Sequence, residues 1–265
     1  MTMISSSKLT KSQAALADVQ PYMTAVERIM RRAMAAGEVD TEFTKRRRMK
    51  RVAVVAFSSD GSLVGGFNSN VTRELRAAVD RYIGQKVERI DIYSIGRKVH
   101  DAVVKWRCPE IEDSAYLPSK IDYGTAAELA MQLAERFVKK DLDSVLLIYH
   151  HLRSPGSQVV THDILLPITL APQKEETKMH DHIFEPSHPE ILLTVVHRYL
   201  KFRLYTALLD STASEHAARM IAMQSATDNA DKLVEELTVY YNKSRQQAIT
   251  NELMDIVGGK AHDHV

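Results

Sequence analysis

The chain lacks covalent staples and membrane-spanning material. Its 265 residues hold one cysteine, Cys108, so an internal disulfide is excluded and a reducing compartment is compatible. Cys108 precedes Pro109 with no partner evident, and a half-buried bystander is a better reading than a nucleophile. No apolar run approaches the roughly 18 residues that cross a bilayer. Met1–Leu16 is polar and lacks the apolar centre of a signal peptide. An excess of one charge is also missing. The 35 basic and 34 acidic residues leave a net charge of +1, which removes any global argument for nucleic acid or an anionic membrane. Internal repeats and low-complexity tracts are absent. The most informative absence is local: between Glu190 and Val257 there is neither proline nor glycine.

What is present falls into three segments. From Met3 to Ala36, apolar residues recur at three- and four-residue steps (Ile4, Leu9, Leu16, Val19, Met23, Val26, Met30, Ala33), the pattern of an amphipathic helix. Pro21 predicts a kink in it, and Gly37 a stop. The middle alternates strands and helices. Arg51–Ser58, Ile90–Ile95, Val145–Tyr149 and Val159–Leu170 read as strands. Val71–Ile83, Arg97–Trp106 and Thr125–Lys139 read as helices. That alternation predicts an α/β layer with a partly parallel sheet. The short link at Pro155-Gly156 predicts a hairpin, so the sheet is expected to be mixed.

In the third segment, Ser187-His188-Pro189-Glu190 fits a capping box, and Gly258-Gly259 is the expected stop. About 70 helical residues span about 100 Å, against about 11–12 residues for an average helix. Most of such a rod must pack on something else. Read in sevens, one seam is Ala213, Met220, Thr227, Val234, Tyr241, Ala248, and a second is His216, Met223, Ala230, Leu237, Ser244, Asn251. Small and polar residues make these a poor zipper. The expected fold is therefore α/β: a long antiparallel helical hairpin (a coiled coil) from the two termini, with an inserted Rossmann-like α/β module. The expected division is 1–50 (shaft helix and basic connector), 51–186 (α/β module) and 187–265 (long shaft helix).

Several blocks resemble the gamma subunit of rotary F-type ATP synthases. They are Ala213–Met223, Ala226–Ala230, Tyr241–Gln246 and Ile249–Leu253, followed by Asp255 and Gly258-Gly259. Lys260 stands where the family usually has alanine. Ser59–Asn68 resembles the family's strand-to-loop motif, with Ser62 and Val64 in place of the usual glycine and cysteine. Met1–Ile4, Ser7-Lys8 and Gln20-Pro21-Tyr22 match the first helix. The resemblance covers essentially the whole chain. Family members begin roughly two dozen residues earlier, ~35 Å of helix, and a start assigned at an internal methionine is the favoured reading of the difference.

The resemblance implies a non-catalytic rotor shaft. Its partners would be three alpha and three beta subunits, the epsilon subunit and the c-ring, with no nucleic acid. It would lie peripherally on the cytoplasmic face of a bacterial plasma membrane, tethered only through the complex. Arg245, Gln246 and Thr250 match family positions that contact the catalytic head, where Arg suits an acidic beta-subunit loop. Met1 and Glu185 match positions on the foot, toward the c-ring. No catalytic residue, cofactor or metal is expected.

Plainer readings fit several other residues. Gly61–Asn68 lacks the Lys-Ser/Thr of a P-loop and reads as a tight turn. The histidines, among them His150, His151, His162, His180, His182 and His188, read as surface residues rather than a metal site. Those at His262 and His264 fall in a tail expected to fray. Lys45–Arg51 (KRRRMKR) reads as a solvated or subunit-facing run. An enzyme on the α/β module would need a convergent acid–base or cofactor constellation, and none is evident. A stand-alone coiled-coil scaffold would need a leucine-rich heptad.

Overall fold

The computed structural model describes residues 2–35, 42–169 and 187–260, without the side chains of Ala35, His188 and 256–260. In chain order the elements are α1 (Thr2–Ala35), a 3-10 turn (Glu42–Thr44), β1 (Arg51–Phe57), α2 (Phe67–Gly84), β2 (Arg89–Ile95), α3 (Arg97–Trp106), β3 (Ile111–Leu117), α4 (Tyr123–Val138), β4 (Ser144–Ser154), β5 (Ser157–Leu166) and α5 (His188–Lys260). The chain divides into two compact units, Met1–Ile221 and Ala222–Val265.

In the first unit the five strands order as β3-β2-β1-β4-β5. The first four are mutually parallel, and β5 returns antiparallel to β4. The sheet is mixed, as the Pro155-Gly156 link predicts. Six of the seven residues of β1 are buried, because helices cover both faces. This is why RVAVVAF reads as a continuous apolar run rather than an alternation. Ala53, Val55 and Phe57 face one core, shared with α1, α4 and the first part of α5. Val52, Val54 and Ala56 face the other, shared with α2 and α3. Each fully buried Val, Ile or Leu contributes about 1.5–3 kcal/mol, so these two layers dominate the stability of the unit.

The structure differs from the sequence expectations in several places, among them β4, which runs on to Ser154 beyond the expected Tyr149 as it pairs with β5. Strand β3 has no counterpart among the expected strands. Its IEDSAYL sequence is only partly buried because it forms the sheet edge, where no apolar run is needed. Helix α2 starts a turn early, at Phe67 behind Gly66. The polar Asn68 and Ser69 hide that turn, their side chains bonding back to Ser59 and to the Gly66 carbonyl. Strand β5 ends at Leu166, because Pro167 has no N–H to extend the ladder. Helix α5 continues through Gly258-Gly259 to Lys260. A helical glycine costs only about 1 kcal/mol against alanine, too little to force a stop alone. Helix α1 also runs through Pro21. The Gly37 stop lies outside the described residues.

Candidate functional site

The first unit grips the beginning of α5 through apolar and polar contacts. Leu192, Val196, Leu200 and Leu204 are buried in the core with Met23, Val26 and Met30 of α1. Tyr22 of α1 and Tyr123 of α4 pack tilted against Phe202, with centroids at 4.4 and 5.1 Å. Further along, Leu9 of α1 clusters with Ala213 and Ala217. The small side chains required by the heptad reading thus allow close helix approach here. Arg203 pairs with Asp163 of β5. Asp210 takes the Leu152 N–H at 2.9 Å and shares a 2.6 Å bond with His151 Nδ1. The Ser214 hydroxyl donates to the His150 carbonyl at 3.1 Å. Burial pushes the Tyr199 hydroxyl up to about 12, so it is neutral at any ordinary pH.

The second unit is a helical segment with a different surface. Every described side chain from Gln224 to Asp255 is exposed. These include Leu233, Val234, Leu237, Val239, Tyr240, Tyr241, Ile249, Leu253 and Met254. Thr227, Thr238 and Thr250 donate their hydroxyls to the carbonyls four residues back, so their polar atoms are satisfied within the helix. Arg245, Gln246 and Thr250 lie here, all exposed. Thr250 bonds the Gln246 carbonyl at 2.8 Å, which places these two on one face. Arg245 projects about 100° around the helix from Gln246. Met1 and Glu185 lie outside the described residues.

The residues that suggested other chemistry are engaged structurally. Ser59 donates its N–H to Asn68 Oδ1 at 3.0 Å and its hydroxyl to the Gly61 carbonyl at 2.7 Å. Leu63 and Gly65 adopt positive φ, making this loop a self-bonded turn. In the basic run, Lys45 and Arg47 both bind Glu42, Lys50 binds Glu88 and Arg51 approaches Asp141. These pairs lower the Glu42 and Glu88 carboxyls, chiefly through the lysine hydrogen bonds. Cys108 donates its thiol to Glu110 at 3.1 Å. Burial and that carboxylate raise the thiol, which disfavours the nucleophilic thiolate. Among the described residues, no three His, Cys, Asp or Glu side chains are grouped to hold a metal.

Sequence reading missed a buried charge network that fixes α4 to the sheet. Asp91, fully buried on β2, accepts from Arg136 at 2.6 Å and from Arg89 at 2.8 Å. Arg136 also binds the Tyr93 hydroxyl at 2.6 Å and Asp141 at 2.7 Å. The one available signal was Asp91 itself, an acid inside the apolar run IDIYSI.

The family model described as ATP synthase matches residues 1–261. The ATP synthase gamma chain of Phocaeicola vulgatus is 45% identical over 98% of this chain and 91% of that protein. The gamma chain of Flavobacterium psychrophilum is 39% identical over 98% of this chain and 90% of its own length. Among solved structures, a chain of the Tetrahymena thermophila mitochondrial ATP synthase central stalk and c-ring superposes with a TM-score of 0.62. It has 23% identity and covers 86% of this chain and 97% of that one. A chain of the Euglena gracilis mitochondrial ATP synthase gives 0.60 at 16% identity, covering 99% of this chain and 94% of that one. The motifs on α5, the exposed second unit and near-complete alignment with curated gamma chains agree: the chain belongs to the gamma-chain family of the ATP synthase.

Proposed function

We propose that this chain is the central rotor of a proton-translocating F-type ATP synthase, coupling c-ring rotation to ATP synthesis or hydrolysis in an alpha/beta catalytic head. The observation that carries the reading is the alignment with curated gamma chains over 98% of the chain. As a gamma-type subunit the chain is non-catalytic, and the chemistry of ATP belongs to its partners. Among the described residues no helix is long and apolar enough to cross a membrane. The proposed location is peripheral, on the cytoplasmic face of a bacterial plasma membrane, held by the complex.

Two structural observations support the rotor. Leu9 meets Ala213 and Ala217, while Tyr22 meets Phe202. Partner numbers fall as α1 numbers rise, which favours an antiparallel helical hairpin, with 1–50 and 187–265 as shaft and 51–186 as the inserted α/β module. The aliphatic and aromatic residues exposed on the second unit form a surface of the kind that is covered in assembly. Its mix of small and polar side chains suits a bearing better than a deep bistable interface. In this reading Arg245, Gln246 and Thr250 meet the head, with Arg245 offering bidentate contact to a beta-subunit carboxylate. Met1 and Glu185 face the c-ring side.

The test is the double substitution R245A/Q246A in the reconstituted head complex. Losing a charge-assisted contact of about 1.5 kcal/mol slows ATP-driven rotation by roughly tenfold while the complex still assembles. Rotation at the unsubstituted rate would remove these residues from the coupling contact.

A further inference from the structure

The strand order reverses direction between β1 and β4. In open α/β sheets the crevice at the carboxyl ends of such neighbouring strands is the usual ligand seat. Here the chain's own α5 occupies it. Asp210 and Ser214 bind the end of β4, and the Arg219 guanidinium lies 3.7 Å from where a Cβ on Gly61, in the loop after β1, would sit. The strand segment that receives these bonds carries an unusual residue. Against the surface reading of the histidines, His150 is 1% exposed, and its ring stacks on Phe67, the first residue of α2, with centroids 4.0 Å apart. Neither of its ring nitrogens has a hydrogen-bond partner among the described residues.

We propose that His150 makes the seat of α5 on the α/β module an acid-released latch: protonating its ring requires the ring to leave the Phe67 stack, which displaces the β4 backbone that holds Ser214 and Asp210. A neutral imidazole tolerates this apolar slot, but a cation without an acceptor does not. The ring's own strand supplies the ties, since the carbonyl of His150 and the N–H of Leu152 are the groups bound by α5.

The neighbouring charges do not supply an acceptor to the ring. On β4, His151 is committed to Asp210. On α5, Glu215 pairs with Arg219 at 2.8 Å, while burial raises the Glu215 carboxyl. Also on α5, burial brings His216 down to about 4, with Arg219, Lys8 of α1 and Lys120 acting in the same direction. In the loop after β1, Asp60 is held by the Arg97 N–H and by Ser119. On α2, Glu74 lies 3.4 Å from His162 of β5. Burial alone brings His150 down to about 4. Against the ordinary 6.5, that depression multiplies the opening equilibrium about twentyfold between pH 7 and pH 5.

Hydrogen exchange of the full chain tests the latch, with rates corrected for the intrinsic pH dependence of exchange. Protection of residues 148–152 and 207–217 is expected to fall several-fold to about twentyfold from pH 7 to pH 5, while β2 keeps its protection. H150F retains the stack and should remove the fall at 148–152, leaving at 207–217 only the part that His216, also brought down to about 4 by burial, contributes. D210N should lower protection at both pH values and leave the fall in place. If H150F does not fold, exchange of the histidine ring C–H in the unsubstituted chain reads His150 directly, and its midpoint should lie well below that of an exposed histidine. The proposal is overturned if protection is independent of pH, if H150F loses it as the unsubstituted chain does, if the loss is uniform along the chain, or if His150 titrates like an exposed histidine.

Discussion

At the scale of single residues, the network around Asp91 and the backbone at Gly96 carry the sharpest consequences. Asp91 is fully buried between Arg136 and Arg89. Removing its charge leaves Arg136 with Asp141 and Arg89 with Glu112 as their remaining carboxylates. Losing charge-assisted hydrogen bonds at a buried acceptor costs about 1.5–3 kcal/mol, so D91N should lower the urea midpoint by that equivalent with little change in slope. Gly96 has φ 102, and a Cβ there would lie 2.1 Å from the Ser58 carbonyl oxygen. That carbonyl belongs to a joint in which the Ser58 N–H binds the Ile95 carbonyl and Val99 donates to the Ser58 hydroxyl. G96A therefore strains the backbone and displaces the β1–α3 joint together, and the folded yield of that variant should collapse. His150 sets a pH dependence. Its folded pKa lies below its unfolded one, so between about 6.5 and about 4 the unfolded state binds more protons and stability falls as pH falls. His150's share of the loss at the acid end of the window is about 3 kcal/mol, measurable as a drop in urea midpoint that is smaller in H150F by that amount.

At the scale of elements, legibility followed burial. Strands β1 and β2 and helix α3 stood out because their residues face packed layers, and α3 has the predicted bounds. Strand β3 did not, since an edge strand needs no apolar pattern. The first turn of α2 was hidden by polar residues bonding locally, a contest between side chain and backbone that composition does not resolve. The exposed sites were legible only by resemblance. Nothing in the periodicity around Arg245, Gln246 and Thr250 separates a contact residue from a solvated one, and their exposure in the isolated chain is common to all their described neighbours. The long α5 leads to an element-scale prediction. Helix without tertiary packing is marginal in water, so amides of 224–255 in the isolated chain should exchange much faster than those of 192–208. Assembly with alpha and beta subunits should slow the former and leave the latter nearly unchanged. Equal protection of both segments in the free chain would contradict the view that the second unit depends on partners.

At the scale of the molecule, apolar surface is divided unequally between the two units. The first unit packs most of its apolar residues in two layers around one sheet. The second leaves Leu237, Tyr240, Tyr241, Leu253 and Met254 exposed. A stand-alone scaffold would instead put leucines on one self-complementary seam, and here the seam positions include Thr227, Ala230, Ser244 and Asn251. The most direct test of a rotor is to express the chain with the alpha and beta subunits of the same organism. A complex of one copy to three and three should be recovered, and a probe on the α/β module should turn in steps when ATP is supplied. Failure to assemble with those subunits, or an assembled complex that hydrolyses ATP while the probe stays fixed, would contradict the rotor.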